Sequence, residues 1–144
     1  MLSSQTRGSF YSGVVNLAPE VFTIKVLFVT RGYPSERYKM NGIFEFDQAK
    51  ALAKAGINII YGAVDVRSLR RTRKWGFESL DKDGVRIEAI NIPCGRIPKS
   101  VLDRARIFGL SRLYDRVVAK RGALDIIHSH FLGSGYVTSQ VLGM

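Results

Sequence analysis

The sequence predicts an α/β domain: a Rossmann-like, doubly wound and mainly parallel sheet with helices on both faces. Short apolar runs of strand length alternate along the chain with segments of helical period. The runs contain few charged residues, which is typical of strands that are buried on both faces. Loops that contain glycine or proline join these segments. Together these three observations favour one domain within the 144-residue chain.

The first strand–helix unit organises the rest of the domain. The apolar run 24–30 predicts a buried strand, and residues 44–54 then follow a helical period before Gly56, which suits the position after a helix C-terminus. Ligands of such units bind outside the carboxyl end of the strand, so loop 31–42 is the first place to expect a site. Four apolar side chains of the helix fall on one stripe: Phe46, Ala49, Leu52 and Ala53.

The middle of the chain predicts two further sheet elements. Residues 57–64 are apolar apart from Asn58 and predict a second parallel strand. Residues 65–75 are charged and predict a surface connector. In 77–93 two β-rich runs flank the turn sequence 81–84, which ends in Asp-Gly and therefore indicates a hairpin.

The last third predicts a helix, a strand and a second helix. Ser100 is expected to cap a basic amphipathic helix over 101–120. Residues 124–130 predict another parallel strand. A short loop with two glycines, Gly133 and Gly135, is expected before a helix that begins at 136.

The predicted topology brings two distant loops together. In the common doubly wound order the first and fourth parallel strands are neighbours, and the strand order reverses between them. The cleft at that reversal would lie between the loop that carries Gly42 and the turn that carries His130. Two separate sequence features therefore indicate one site.

The side chains at this site allow more than one interpretation. Gly42 would let backbone N–H groups approach a phosphate at the helix N-terminus, or it is a turn glycine without a ligand. Asn41 could be the N-cap. His128 and His130 alternate at a strand end and fall on one face; the first suits a packed histidine and the second a hydrogen-bonding or acid–base group. A metal site is disfavoured, because these are the only two histidines and no carboxylate is close in sequence.

Positive charge is concentrated in one half of the chain. Of 22 Lys and Arg and 12 Asp and Glu, fifteen and six respectively lie in 67–121. This favours an anionic partner, although the solvated faces of an ordinary basic protein would look the same. No apolar run approaches the roughly 20 residues that span a bilayer. The single cysteine, Cys94, allows no internal disulfide framework and has no activating base near it in sequence.

Three stretches, in this order, resemble the N-terminal domain of family 4 glycosyltransferases. The first, KVLFVTRGYPSERYKMNGIFEFDQAKALAKAGINI, is similar to that family's GIF…QA.AL…G pattern. The second, DGVRIEAINIP, resembles the hairpin strand that follows it. The third, DIIHSHF over 125–131 and then Gly135, is similar to the pattern D-I-I-H-x-H-F…G. The resemblance extends from Ile24 to the end of the chain.

The resemblance implies the GT-B architecture, which has two Rossmann-like domains and an active cleft between them. Residues 24–144 would be a truncated N-terminal domain of that architecture, behind a leader, 1–23, that need not be ordered and is too polar for a convincing secretory signal. The missing C-terminal domain carries the nucleotide pocket and the family's glutamate pair, so the fragment alone is not expected to catalyse transfer.

The implied reaction is a retaining transfer of a sugar from a nucleotide-sugar, which is the donor substrate, to a glycan, lipid-linked or small-molecule acceptor. No metal and no cofactor are implied. The implied location is cytoplasmic. Members that act on lipid-linked acceptors often contact the anionic inner face of a membrane through basic, amphipathic surfaces of this domain, and helix 101–120 suits that contact. The simpler interpretation, which we favour, is that this helix buries its apolar stripe on its own sheet.

The resemblance also implies site residues, position by position. His130 is the implied catalytic residue, near the transferred sugar and the acceptor. Many members have two glycines in the first loop, whereas here Asn41 precedes Gly42, so the backbone would wrap a phosphate less tightly. The other implied residues are Asn41, Gly42 and Ile43 beside the donor diphosphate, and Arg31, Tyr33 and His128 on the acceptor side.

Two other interpretations stay open. The chain could be a non-enzymatic anion- or nucleic-acid-binding α/β module, which the basic region favours. Nucleic acid is a disfavoured partner, because the sequence has no RNP-type aromatic pattern, helix-turn-helix or zinc-ligand spacing. The chain could also be a degenerate fragment without a function of its own.

Overall fold

The computed structural model describes residues 23–67 and 74–143. The predicted leader, apart from Thr23, lies outside the described residues. Eight elements follow one another in the predicted order of strands and helices. They are β1 (Lys25–Thr30), α1 (Ile43–Lys54), β2 (Asn58–Arg67), β3 (Gly76–Lys82), β4 (Val85–Pro93), α2 (Lys99–Arg121), β5 (Ile126–Ser129) and α3 (Leu132–Leu142).

The strands form one sheet in the order β3-β4-β2-β1-β5. β1 pairs in parallel with β2 on one side and with β5 on the other, and β2 pairs in parallel with β4. Among the described strands only the β3–β4 hairpin is antiparallel, and it turns at Asp83 and Gly84, which both have positive φ. The predicted fold class is confirmed. The first and fourth parallel strands, β1 and β5, are neighbours in the sheet, as expected.

Each face of the sheet carries its own apolar core. On one face α1 packs its predicted stripe, from Phe46 to Ala53, against side chains of β1, β2 and β4 such as Phe28 and Tyr61. On the other face α2 and α3 pack side chains such as Leu113 and Val137 against the alternate residues of the same strands. Because successive side chains of a strand point to opposite faces, a strand covered on both sides must be apolar at nearly every position.

The long helix α2 lies close to the sheet because Gly109 has no side chain. A Cβ at Gly109 would lie 2.8 Å from Ile92 Cδ1 and 2.9 Å from Val64 Cγ1. The glycine therefore sets the distance between helix and sheet. None of the helices in the described ranges is sufficiently long and apolar to cross a membrane.

Two predicted boundaries are wrong, the end of β2 and the start of α2. β2 continues to Arg67, because residues 65–67 pair with 91–93 of β4, so the predicted connector 65–75 begins too early. Residues 68–73 of that connector lie outside the described residues. Ser100 does not cap α2. The helix begins at Lys99, two residues earlier than predicted, and the carbonyl of Pro98 accepts its first hydrogen bonds.

The third wrong boundary is the start of α3. The helix begins at Leu132 and not at 136, so Gly133 and Gly135 belong to its first turn and not to a loop. Glycine disfavours helix by its backbone entropy alone. The packing of Val137 and Val141 against α2 and β1 outweighs that preference.

Candidate functional site

The candidate site lies at the carboxyl edge of the sheet, where β1 and β5 end side by side. Val29 of β1 is in register with Ser129 of β5, and the two strands are parallel. The loop 31–42 and the turn at His130 therefore leave the sheet at the same edge. This is the position at which the strand order reverses, and where ligands bind in open α/β sheets.

A buried tyrosine closes the loop between β1 and α1. The Tyr61 hydroxyl lies 3.0 Å from the Gly32 carbonyl oxygen and 3.2 Å from that of Gly42, and it donates to this pair. Burial raises the pKa of Tyr61, and although the Thr30 hydroxyl opposes this, the charge of Glu45 adds to the increase. The hydroxyl therefore keeps its proton and holds the two ends of the loop together.

Gly42 is required by the backbone itself. It is the N-cap of α1 with φ 69° and ψ 23°, a left-handed conformation, and a Cβ there would lie 2.6 Å from the Gly32 carbonyl oxygen. Only glycine suits both conditions. The Gly42 carbonyl accepts from Phe46 N–H at 2.9 Å, so the N–H groups of Ile43 and the next two residues have no acceptor within the helix. The first turn of α1 can therefore donate to an anion.

Asn41 braces the loop and does not cap the helix. Its Nδ2 donates to the Tyr33 carbonyl at 3.2 Å, and its side chain occupies the space where Gly32 has no Cβ. No side-chain hydrogen bond caps α1. The alternative that Asn41 is the N-cap is therefore wrong, and any contact of Asn41 with a phosphate stays a prediction.

His130 lies against α1 immediately beyond the end of β5. Its Nε2 is 2.5 Å from Gln48 Oε1. If the amide oxygen accepts, Nε2 carries the proton, and Nδ1 of the neutral ring is the nitrogen with the lone pair. Gln48 is six residues after Gly42, about 9 Å along the helix axis. The contact thus brings the histidine to the same helix whose N-terminus follows the glycine loop.

Aromatic rings continue from the histidine in two directions. His128 and His130 are 5.7 Å apart between ring centroids, so both lie on one face, as the alternation predicts. His128 stacks on Phe28 at 4.7 Å. In the other direction His130 is 5.4 Å from the Phe131 ring, and the Arg31 guanidinium lies 4.9 Å above that ring. The packed-histidine interpretation of His128 holds in part, since one ring face is covered while the residue as a whole is exposed.

Tyr33 is the predicted site residue that points away from this group. It is 3% exposed, and its hydroxyl donates to Glu78 Oε2 on β3 at 2.6 Å. Asn91 Nδ2 donates to the same oxygen at 3.2 Å. Tyr33 therefore belongs to a polar group on β3 and β4 beside the loop. His130 contacts α1 with His128 beside it, and Arg31 lies over the Phe131 ring at the start of α3.

A second cleft of about 610 Å³ lies between the loop and the hairpin. One wall is loop 33–38, and the other is formed by side chains of β3 such as Glu78 and Lys82. This cleft could not be predicted from the sequence, because the register of the strand pairs decides which residues of a hairpin face a loop. Gln48, the partner of His130, was not among the predicted site residues, although it lies in the stretch that carries the resemblance. In the described part of the chain, no group of three or more His, Cys, Asp or Glu could hold a metal ion.

The fold and this edge of the sheet define a Rossmann-like α/β domain, whose candidate site lies at the topological switch point of the sheet. No protein-family profile matches the sequence, and no curated protein matches it. A solved structure described as trehalose-6-phosphate from E. coli bound with UDP-2-fluoro glucose aligns over 82% of this chain at 8% identity, with a TM-score of 0.49. The chain spans 30% of the length of that structure. This likeness is too weak to carry a conclusion about function.

Proposed function

We propose that this chain is the N-terminal, acceptor-side domain of a retaining, metal-independent glycosyltransferase with GT-B architecture. The observation that carries the proposal is the contact between Gln48 and His130. These residues belong to the two stretches with the strongest family resemblance, and they are 82 positions apart in the chain. The resemblance rests on the residues and order of the motifs, which predict neighbouring loops but do not by themselves place Gln48 in contact with His130.

Each group at the carboxyl edge has a role in the proposed reaction. The first turn of α1, after Gly42, offers N–H donors and a helix dipole to the donor diphosphate. His130, oriented by Gln48, hydrogen-bonds to a hydroxyl of the transferred sugar, which positions the anomeric carbon for the acceptor. Arg31 and His128 lie on the acceptor side of His130. The proposal assigns the nucleotide pocket to a second domain.

The test is an activity screen on the whole gene product, including any coding sequence downstream of Met144. The product is incubated with a panel of nucleotide-sugars and acceptors, and the anomeric configuration of each product is determined by NMR. The proposal expects donor-dependent transfer with retention of configuration. Transfer with inversion would contradict the retaining assignment. If no donor gives either transfer or hydrolysis, the proposal that the protein is a glycosyltransferase is wrong.

One observation favours a second candidate, a non-enzymatic anion-binding module. At the opposite, amino edge of the sheet a cleft of about 310 Å³ is lined by four cationic residues, although Lys120 and Arg86 already pair with Glu88. If this cleft binds nucleic acid, affinity for an oligonucleotide falls steeply as salt rises. An affinity that stays weak at low salt removes this candidate. The four residues are Lys25, Arg86, Lys120 and Arg121.

A further inference from the structure

A small cavity lies on the opposite face of the sheet from α1. It has a volume of about 30 Å³ and lies at the end of β1 and beside Val64 of β2, between α2 and the first turn of α3. That volume holds about two water molecules, so it suits the end of one oxyanion group and excludes a nucleotide. Its lining includes Arg31, Arg106, Gly133 and Ser134.

The first turn of α3 presents uncapped N–H groups to this cavity. The N-cap is Phe131, which has an apolar side chain and makes no capping hydrogen bond. The first hydrogen bond within the helix runs from Gly135 N–H to the Phe131 carbonyl at 2.8 Å. The N–H groups of Leu132, Gly133 and Ser134 therefore have no acceptor in the helix, and the dipole places partial positive charge there.

Ser134 supplies an independent indication of a ligand. The residue is 5% exposed, and its Oγ has no hydrogen-bond partner among the described residues. The neighbouring hydroxyls are satisfied: Thr138 Oγ1 donates to the Ser134 carbonyl at 2.8 Å and lies 2.7 Å from Ser129 Oγ. A buried hydroxyl without a partner destabilises a fold. An oxyanion in the cavity that Ser134 lines would accept its hydrogen bond.

Two arginines add charge at the mouth of the cavity. Arg106 of α2 is partly buried, and among the described residues its ion pair is with Asp103, 3.3 Å from Nη1 to Oδ1. A guanidinium has five N–H donors, so this contact leaves others for a ligand, although the Asp103 carboxylate offsets part of the charge. Arg31 is held over the Phe131 ring, immediately before α3. The two guanidiniums and the helix N-terminus carry the same sign.

We propose that this cavity is a binding subsite for a phosphate group. The N–H groups of Gly133 and Ser134, the Ser134 hydroxyl and the Arg106 guanidinium donate to its oxygens. The assignment of the bound group to the acceptor rests on the proposed function, because Arg31 joins this cavity to the His130 side of the edge. The acceptor would then carry a phosphate, either as a soluble sugar phosphate or as a lipid headgroup.

Phosphate binding is measured first with inorganic phosphate on the 144-residue chain, by following amide shifts in NMR spectra, with chloride at equal ionic strength as the control. The proposal expects saturable shifts at Gly133, Ser134 and Gly135. It expects Arg106→Gln to weaken binding about tenfold, the loss of one charge-assisted hydrogen bond. The matched control is Arg112→Gln, an exposed arginine on the same helix, which should stay within about twofold. Shifts that do not saturate, or an equal loss in both variants, would overturn the subsite.

Ser134→Ala separates a ligand role from a structural one. Without phosphate the variant should be as stable as the wild type or more stable, because it removes an unpartnered buried hydroxyl. With phosphate the wild type should gain thermal stability and the variant clearly less. Equal gains in the two proteins would contradict the role of Ser134.

The source of the phosphate is resolved with two further probes. A sugar monophosphate should compete with inorganic phosphate if the acceptor is soluble, whereas phosphatidylglycerol vesicles should bind more than phosphatidylcholine vesicles, with dependence on Arg106, if it is a lipid. Binding of neither probe would overturn the assignment to an acceptor. Phosphate binding is measured without a nucleotide-sugar donor. The phosphate subsite can therefore be wrong while sugar transfer is observed, and sugar transfer can be absent while phosphate binds.

Discussion

Gln48 Oε1 lies 2.5 Å from His130 Nε2, so one side-chain contact joins the helix after β1 to the turn after β5. The two elements approach because β1 and β5 are parallel neighbours and their carboxyl ends coincide. The contact orients the His130 ring relative to the N-terminus of α1. We therefore treat Gln48 as a positioning residue for His130.

Under the proposed function, replacement of Gln48 by Leu should lower kcat of sugar transfer by the whole gene product about tenfold, as expected for the loss of one hydrogen bond that orients the proposed catalytic group. KM should change little, since Gln48 acts through His130. The contact is exposed, so the free energy of unfolding should change by no more than about 0.5 kcal/mol. Steady-state kinetics and urea unfolding measure both. Lys54→Leu, at the far end of α1, is the control, and an equal effect on kcat in both variants would contradict the positioning role.

Gly42→Ala should destabilise the domain strongly. The left-handed conformation costs about 1–2 kcal/mol for an alanine, and the close Gly32 carbonyl oxygen, 2.6 Å from the position of the new Cβ, adds steric strain. Gly56→Ala is the matched control, because Gly56 also has positive φ but nothing within 4 Å of a Cβ. Urea unfolding should show a larger loss at Gly42 than at Gly56. Equal losses of unfolding free energy in the two variants would contradict the steric strain that we expect at Gly42.

Gly109→Ala should also destabilise, but through the core. The added methyl would meet side chains of β2 and β4 at 2.8–2.9 Å, and overpacking of this kind costs about 1–3 kcal/mol. Gly135→Ala lies in a helix with open space around the Cβ, so it should stabilise by up to about 1 kcal/mol. The two variants are compared by thermal and urea unfolding. Both gain the higher helix propensity of alanine, so the difference between them reports the overpacking, and equal changes in the two variants would contradict the close contact between α2 and the sheet.

Tyr61 should make the stability of the domain fall at alkaline pH. The pKa of Tyr61 is raised in the folded protein, chiefly by burial. This contribution to stability is therefore complete below the ordinary tyrosine pKa of about 10 and is lost as pH rises through the folded pKa. Urea unfolding between pH 8 and about 11 should show this decline in the wild type and a smaller one in Tyr61→Phe. Parallel profiles would rule out the effect.

Glu88 should act in the opposite direction. Burial tends to raise the pKa of this carboxyl, but the hydrogen bond from Ser79 and the charges of Lys120 and Arg86 outweigh it, so the pKa is lowered. Its stabilising effect is present above the ordinary glutamate pKa and is lost as pH falls through the lower, folded value. Glu88→Gln should lose about 1–3 kcal/mol at pH 7, and the difference from the wild type should shrink below about pH 4. A difference that does not depend on pH would contradict the ion pairs.

Most of the fold could be predicted because apolar runs and helical stripes report burial directly. The run 24–30 and the stripe from Phe46 to Ala53 have the patterns of a strand covered on both faces and a helix covered on one. The start of α3 could not be predicted in this way, because Gly133 and Gly135 disfavour helix locally and only packing against α2 favours it. The cavity at Ser134 could not be predicted either, because it depends on where α3 begins.

The candidate site was predictable only in its location. The positions of Gly42 and His130 follow from strand order, since both leave the same edge of the sheet. The partners of these residues do not follow from it. That Tyr33 turns to Glu78, and that Gln48 reaches His130, depend on side-chain directions set by register and by the length of loop 31–42. Patterns of residue type do not report such directions.

The most direct test of the central claim is the effect of His130→Ala on sugar transfer by the full-length gene product. With Lys54→Ala as the control on α1, kcat of His130→Ala should fall by a factor of about 100 or more, since a group that contacts the reacting sugar is lost. Binding of the donor nucleotide, which we assign to the second domain, should be largely retained. Transfer at the wild-type rate in His130→Ala would contradict the assignment of this edge of the sheet as the site of transfer.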